Sequence, residues 1–159
     1  MVDTVAAKPS KADAAEANLN EGFGCAQSVL AAFADEIGVD RETALRIAGP
    51  FGGGMGGLGR TCGAVTGAIM VIGFLYGRTD PEDKATKQAN NARVQELVRL
   101  VEEREGTSLC REILKGYDIS NPEQRELARQ EGLFESGCQK TVGDAAEILE
   151  GLLGRWRAT

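Results

Sequence analysis

The chain has 159 residues, 42% of them hydrophobic, enough for one domain with a packed core and no need of disulfide staples. A formal charge of −6 argues against nucleic acid and anionic membrane as partners. The complete lack of histidine excludes Ser-His-Asp and Cys-His catalysis, imidazole-ligated zinc and His-ligated haem.

The soft ligands that remain are four cysteines and three methionines, and no catalytic residue stands out. The N-terminus lacks a basic stretch followed by an apolar core, so it does not read as a signal peptide. The expectation is a cytoplasmic protein in a reducing compartment, where structural disulfides are rare. The longest apolar stretch, 63–76, is too short to cross a bilayer, so no membrane insertion is expected.

Residues 1–9 read as a flexible N-terminus and 10–159 as a single domain. Ser10 with Asp13 marks a helix start, and an Ala-rich helix runs to about Leu19. After a turn at 20–24, apolar residues at Val29, Leu30, Phe33 and Ile37 follow helical spacing, and Gly38 ends that helix. Asp40 caps a short helix that Pro50 stops. FGGGMGGLGR (51–60) is too rich in glycine for any regular element, because the backbone entropy lost would be too large. The helix that follows, from Cys62 to about Gly77, is apolar on nearly all faces, which predicts a central buried position. Its Gly63 and Gly67 leave room for a neighbouring helix. Asp80 and Pro81 read as N-cap and N1 of a long charged helix to Glu105, with a stripe of Val94, Leu97, Val98 and Val101. Gly106 closes it. Thr107 or Ser108 caps a short helix, Asn121 and Pro122 start another, and a last helix runs from about Cys138 to Leu153. No period-two alternation occurs, so the class is all-α, with about seven or eight helices.

The four cysteines, Cys25, Cys62, Cys110 and Cys138, stand 37, 48 and 28 residues apart, which matches no CxxC, zinc-finger or ferredoxin spacing. Singly, each reads equally well as a small buried hydrophobe. Together they share a feature: each falls at the start of an expected helix, where partial positive charge and free N–H groups lower a thiol pKa. If those helix starts converge, four thiolates meet at one point. The glycine loop directly before Cys62 offers backbone N–H groups to an anion. Gly53, Gly54, Gly56 and Gly57, with Gly63 just beyond Cys62, are the candidate cofactor-binding positions. The loop formally contains GxGxxG, but no strand precedes it and no GK[ST] follows, which rejects dinucleotide and Walker-type readings.

CGAVTG (62–67) makes the pattern recognisable. With GFGCAQSVLAAFADEIG (22–38), the glycine loop, LCREIL (109–114) and GCQKTVGDAAEIL (137–149), it resembles the family of redox-active proteins named for four cysteines and a CGAxxG motif (C_GCAxxG_C_C). The resemblance spans roughly residues 14–153. A similar domain occurs in split-Soret cytochromes, dimers in which it accompanies an iron–sulfur centre and c-type haems. The resemblance therefore implies an iron–sulfur cluster with Cys25, Cys62, Cys110 and Cys138 as metal ligands, and a homodimer. It does not imply haem, because the chain has neither CxxCH nor any histidine. Three functions compete: an iron–sulfur protein for electron transfer or redox sensing, with [2Fe–2S] favoured over [4Fe–4S]; a dithiol–disulfide oxidoreductase; and a structural zinc module. No residue identifies the redox partner protein or an organic substrate.

Overall fold

A computed structural model describes residues 6–159. The described residues form nine α-helices and no sheet. In chain order they are α1 (Lys11–Asn20), α2 (Cys25–Ala32), α3 (Ala34–Ile37), α4 (Arg41–Ala48), α5 (Gly63–Tyr76), α6 (Lys84–Glu105), α7 (Cys110–Ile113), α8 (Pro122–Gln130) and α9 (Lys140–Arg157). A 3₁₀ turn (Gly49–Phe51) follows α4, and a π-helical segment (Phe134–Gln139) leads into α9. No described helix is long and apolar enough to cross a membrane. Of the expected flexible N-terminus, residues 1–5 lie outside the described residues, and 6–10 form no regular element.

Local chemistry sets most boundaries. The Ser10 hydroxyl accepts from Asp13 N–H at 3.1 Å, Asp40 from Thr43 N–H at 2.9 Å, and Asn121 from the amides of Glu123 and Gln124, so each caps its helix. Gly38 and Gly106, at φ +69° and +82°, close α3 and α6 in the left-handed conformation.

Four elements differ from the sequence pattern. The helix expected over 25–38 breaks at Phe33 (φ −102°, ψ 6°), whose N–H bonds to the carbonyl three residues back. The tightened turn leaves Phe33 fully buried. The long helix starts at Lys84 rather than Pro81, because the Asp83 carboxylate takes Thr86 N–H while Asp80 closes a turn on Glu82 N–H. The cysteine helix after Gly106 is a single turn: the bridge of Leu109 to Thr61 holds its start at Cys110, and the left-handed Lys115 and Gly116, at φ +53° and +90°, prevent its continuing. Cys138 does not open a helix: it sits inside the π-helical segment, with helical backbone already running from Phe134.

The main core joins α1, α2, α5, α6 and α9 through Leu30, Phe33, Val65, Ile72, Leu97, Val101, Leu149 and Leu153. α2 packs most closely on α5, where Gly67 permits the approach: a Cβ there would stand 2.7 Å from the Ala26 carbonyl oxygen. α5 is buried along Ala64, Val65, Ala68, Val71 and Ile72, but Phe74 near its C-terminus is half exposed. A second, smaller cluster gathers Cys110, Leu114, Ala128 and Leu133 beneath α7 and α8.

Candidate functional site

All four cysteines are free thiols. They divide between the two apolar clusters: Cys25 and Cys62 belong to the main core, Cys110 and Cys138 to the smaller one. At the seam lies a cavity of about 510 Å³, and all four thiols line it.

Short-range contacts carry these sequence-distant residues to one place. The Thr61–Leu109 bridge sets Cys62 beside Cys110: Cys62 N–H donates to the Ser108 carbonyl at 2.8 Å, and Cys110 N–H to the Arg60 carbonyl at 2.7 Å. Gly54, at φ +70°, lies so close under this bridge that a Cβ would stand 2.5 Å from Arg60 N and 2.6 Å from Cys110 Cβ. Gly63 does the same for the first cysteine, since its missing Cβ would stand 2.8 Å from Ala26 N and 3.0 Å from Cys25 Cβ. Gly137 lies against Ile113, where a Cβ would stand 3.2 Å from the Ile113 carbonyl oxygen, and so lets the π-helical segment approach α7. The Gln27 side chain accepts from Gly24 N–H at 2.9 Å and donates to the Leu45 carbonyl at 3.0 Å, fixing the start of α2 on α4.

The cysteines form two unlike pairs. Cys62 and Cys110 are 4% and 6% exposed, whereas Cys25 and Cys138 are half-buried. The neighbouring Cys138, before burial, holds the Cys25 thiol well above its ordinary pKa. Burial, then the neighbouring Cys25, pushes the Cys62 thiol up to about 12. The amides of Ala64 and Val65 at the start of α5 pull the other way and do not prevail. Burial likewise pushes Cys110 up to about 12, with Cys62 and Cys25 adding to it and Arg111 opposing it. The expectation that helix starts lower the thiol pKa values is therefore overturned for these three. The favourable end of a helix contributes a fraction of a charge, whereas removing a thiolate from water costs far more.

Among the candidate glycines, Gly53 and Gly63 line the cavity. Gly54 supports Cys110 from behind, while Gly56 and Gly57 shape the loop, with φ of +61° and +79°. Met55 is 38% exposed and does not line the cavity, so it is not a cover over the thiols. The Thr66 hydroxyl donates back to the Gly63 carbonyl at 3.1 Å. Sequence reasoning misses the apolar wall of Phe23, Ile119 and Phe134 and the charged Arg125 and Glu135. No motif marks them: Phe23 comes with the turn before Cys25, and the folding of 113–139 over the thiols brings the other four.

The chain matches, over residues 23–152, the family described as "Putative redox-active protein (C_GCAxxG_C_C)". The chain belongs to this family. The match spans all four cysteines that line the cavity and CGAVTG at the start of α5. No curated protein and no solved structure matches the chain.

Proposed function

We propose that this member of the family holds an iron–sulfur cluster on Cys25, Cys62, Cys110 and Cys138 and serves electron transfer or redox sensing. The observation that carries the reading is the convergence of four thiols from four separate segments on one cavity. The donor set fits: four soft ligands, no imidazole and no competing disulfide. Among the described residues, no three His, Cys, Asp or Glu side chains meet at an ion-sized point. Of the clusters four thiolates can hold, we favour [2Fe–2S], with two thiolates per iron, over [4Fe–4S].

The cluster would supply one-electron chemistry. The protein's part is to hold the thiols in place through the Thr61–Leu109 bridge and the glycine contacts, and to limit water with Phe23, Ile119 and Phe134. Burial pushes the Cys62 and Cys110 thiols up to about 12, which weighs against either as the attacking thiolate of a dithiol exchange enzyme. We further place the protein in the cytoplasm, as a homodimer working with a redox partner protein. Light scattering after size exclusion at twice the chain mass would support the dimer; the mass of a single chain would refute it.

The test of the cluster is anaerobic purification followed by iron, sulfide and visible-absorption measurements. Two irons and two sulfides per chain, with charge-transfer bands, support the reading. Colourless protein without iron after reconstitution defeats it, and stoichiometric zinc with no redox response replaces it with a structural metal site.

A further inference from the structure

The two thiol pairs are not equivalent, and the difference points to a use for one of them. Cys62 and Cys110 are sealed at the back of the cavity, bound to each other's segments by the Thr61–Leu109 bridge. Cys25 and Cys138 stand at its more open side, both half-buried and both on the wall of the same cavity. They also come from unlike elements. Cys25 begins α2, whose first turn is pinned by Gln27 and by the close packing at Gly63. Cys138 lies in a π-helical segment, a departure from α-helical bonding of the kind that recurs at functional sites.

We propose that Cys25 and Cys138 are the oxidisable pair of the site: without a bound cluster they close as a disulfide, and the closed form cannot take up iron. The uptake half of this inference rests on the cluster reading above; the pairing does not. With a small-molecule disulfide such as oxidised glutathione as the oxidant, the chemistry balances in two exchanges. One thiol loses its proton and attacks the glutathione disulfide, giving a mixed disulfide and one reduced glutathione. The second thiol loses its proton and attacks the protein sulfur of that mixed disulfide, releasing the second reduced glutathione. The protein loses two hydrogens and two electrons, and the oxidant gains them. Closing the bond requires the two sulfurs to come within about 2 Å of each other.

The experiment uses the full chain, freed of metal with a chelator and treated with oxidised glutathione. Peptide mapping without reduction is expected to find Cys25 joined to Cys138, with Cys62 and Cys110 still alkylatable after denaturation. A Cys62–Cys110 link, or four free thiols in protein that circular dichroism shows to be folded, overturns the pairing. Iron uptake is then measured on the closed protein before and after dithiothreitol. Uptake falling to background when closed and recovering on reduction supports the gating; equal uptake in both forms refutes it. Cys138→Ser, judged by the same map, is expected to lose the link, and a link surviving in it refutes the pairing. If the Cys25–Cys138 link forms but no iron enters the reduced protein, the cluster reading fails and the pairing stands. If iron enters and no link forms, the reverse holds.

Discussion

Gly63→Ala tests the packing that brings Cys25 to Cys62. The added methyl would lie 2.8 Å from Ala26 N, 3.0 Å from Cys25 Cβ and 3.4 Å from Ala26 Cβ. The first two contacts are with parts of α2 that no side-chain rotation can move, so α2 must shift as a body. Overpacking of this kind costs about 1–3 kcal/mol. The gain in helix propensity from Gly to Ala is at most about 1 kcal/mol in a helix interior, and less here because Gly63 is the first residue of α5. The net expectation is a loss of about 1–2 kcal/mol. Gly73→Ala is the control on the same helix: its Cβ meets nothing within 4 Å, so it should stabilise by about 0.5–1 kcal/mol. Urea denaturation gives both values from the shift in midpoint at constant slope. Iron content after reconstitution gives the functional half, and it should fall for Gly63→Ala in protein that remains folded. If the two variants were equally stable and took up iron equally, close approach at Gly63 would not organise the site.

Gly54→Ala should be far worse than Gly57→Ala. Both have positive φ, but a Cβ at Gly54 meets the Arg60 backbone at 2.5 Å, whereas one at Gly57 meets nothing. Gly57→Ala should cost about 1–2 kcal/mol for the left-handed backbone alone, and soluble yield with iron content should separate the two. Hydrogen bonds from the hydroxyl and N–H groups of Thr43 and Thr86 hold the Asp40 and Asp83 carboxyls below their ordinary range. A carboxyl lowered in the folded state contributes stability above its unfolded pKa, about 3.9, and loses it as pH falls through the folded value. Asp40→Asn and Asp83→Asn should therefore flatten the fall of the urea midpoint between pH 5 and pH 3; unchanged profiles would refute the assignment. Trp156 stands edge-on to Tyr76 at 5.8 Å between centroids, under Arg93, and donates to Glu96 at 3.1 Å. Trp156→Phe should cost about 1 kcal/mol through the lost hydrogen bond, measured by thermal denaturation.

Helix ends that depend on a side chain reaching its own backbone are readable in sequence. Ser10, Asp40 and Asn121 cap where they are expected, and Gly38 and Gly106 terminate where their left-handed geometry is needed. Asp80 and Asp83 show the limit of that reasoning. Both offer a competent carboxylate within one turn, and the backbone uses the second for the helix and the first for the preceding turn. The break at Phe33 and the π-helical segment at 134–139 have no local signature, because they arise where tertiary packing overrides helical propensity. For the site, the glycine density before Cys62 announces an irregular loop, and the family resemblance joins the four cysteines. What brings them together, the Thr61–Leu109 bridge and the contact of Gly137 with Ile113, joins residues 24 or more apart in sequence and is invisible to any periodicity. The thiol pKa values fail for the same reason. Helix starts are local and correctly signed, as the Ala64 and Val65 amides demonstrate at Cys62, but burial is a property of the whole fold and it dominates.

That dominance bears on what the cavity is for. A site built to expose a reactive thiolate would keep one sulfur near water and beside a cation, so that the charged form is the stable one. Here the two most buried thiols are pushed up to about 12, and Glu105 adds negative charge near Cys62 rather than relieving it. Such sulfurs stay protonated until something cationic replaces their protons, as a metal centre does when it takes up thiol ligands. The same burial that silences Cys62 and Cys110 as nucleophiles would shield a metal bound to them. Only Cys25 and Cys138, at the open side of the cavity, remain within reach of a soluble oxidant. On the proposed reading, two cysteines anchor the centre, and the other two decide whether it can be loaded.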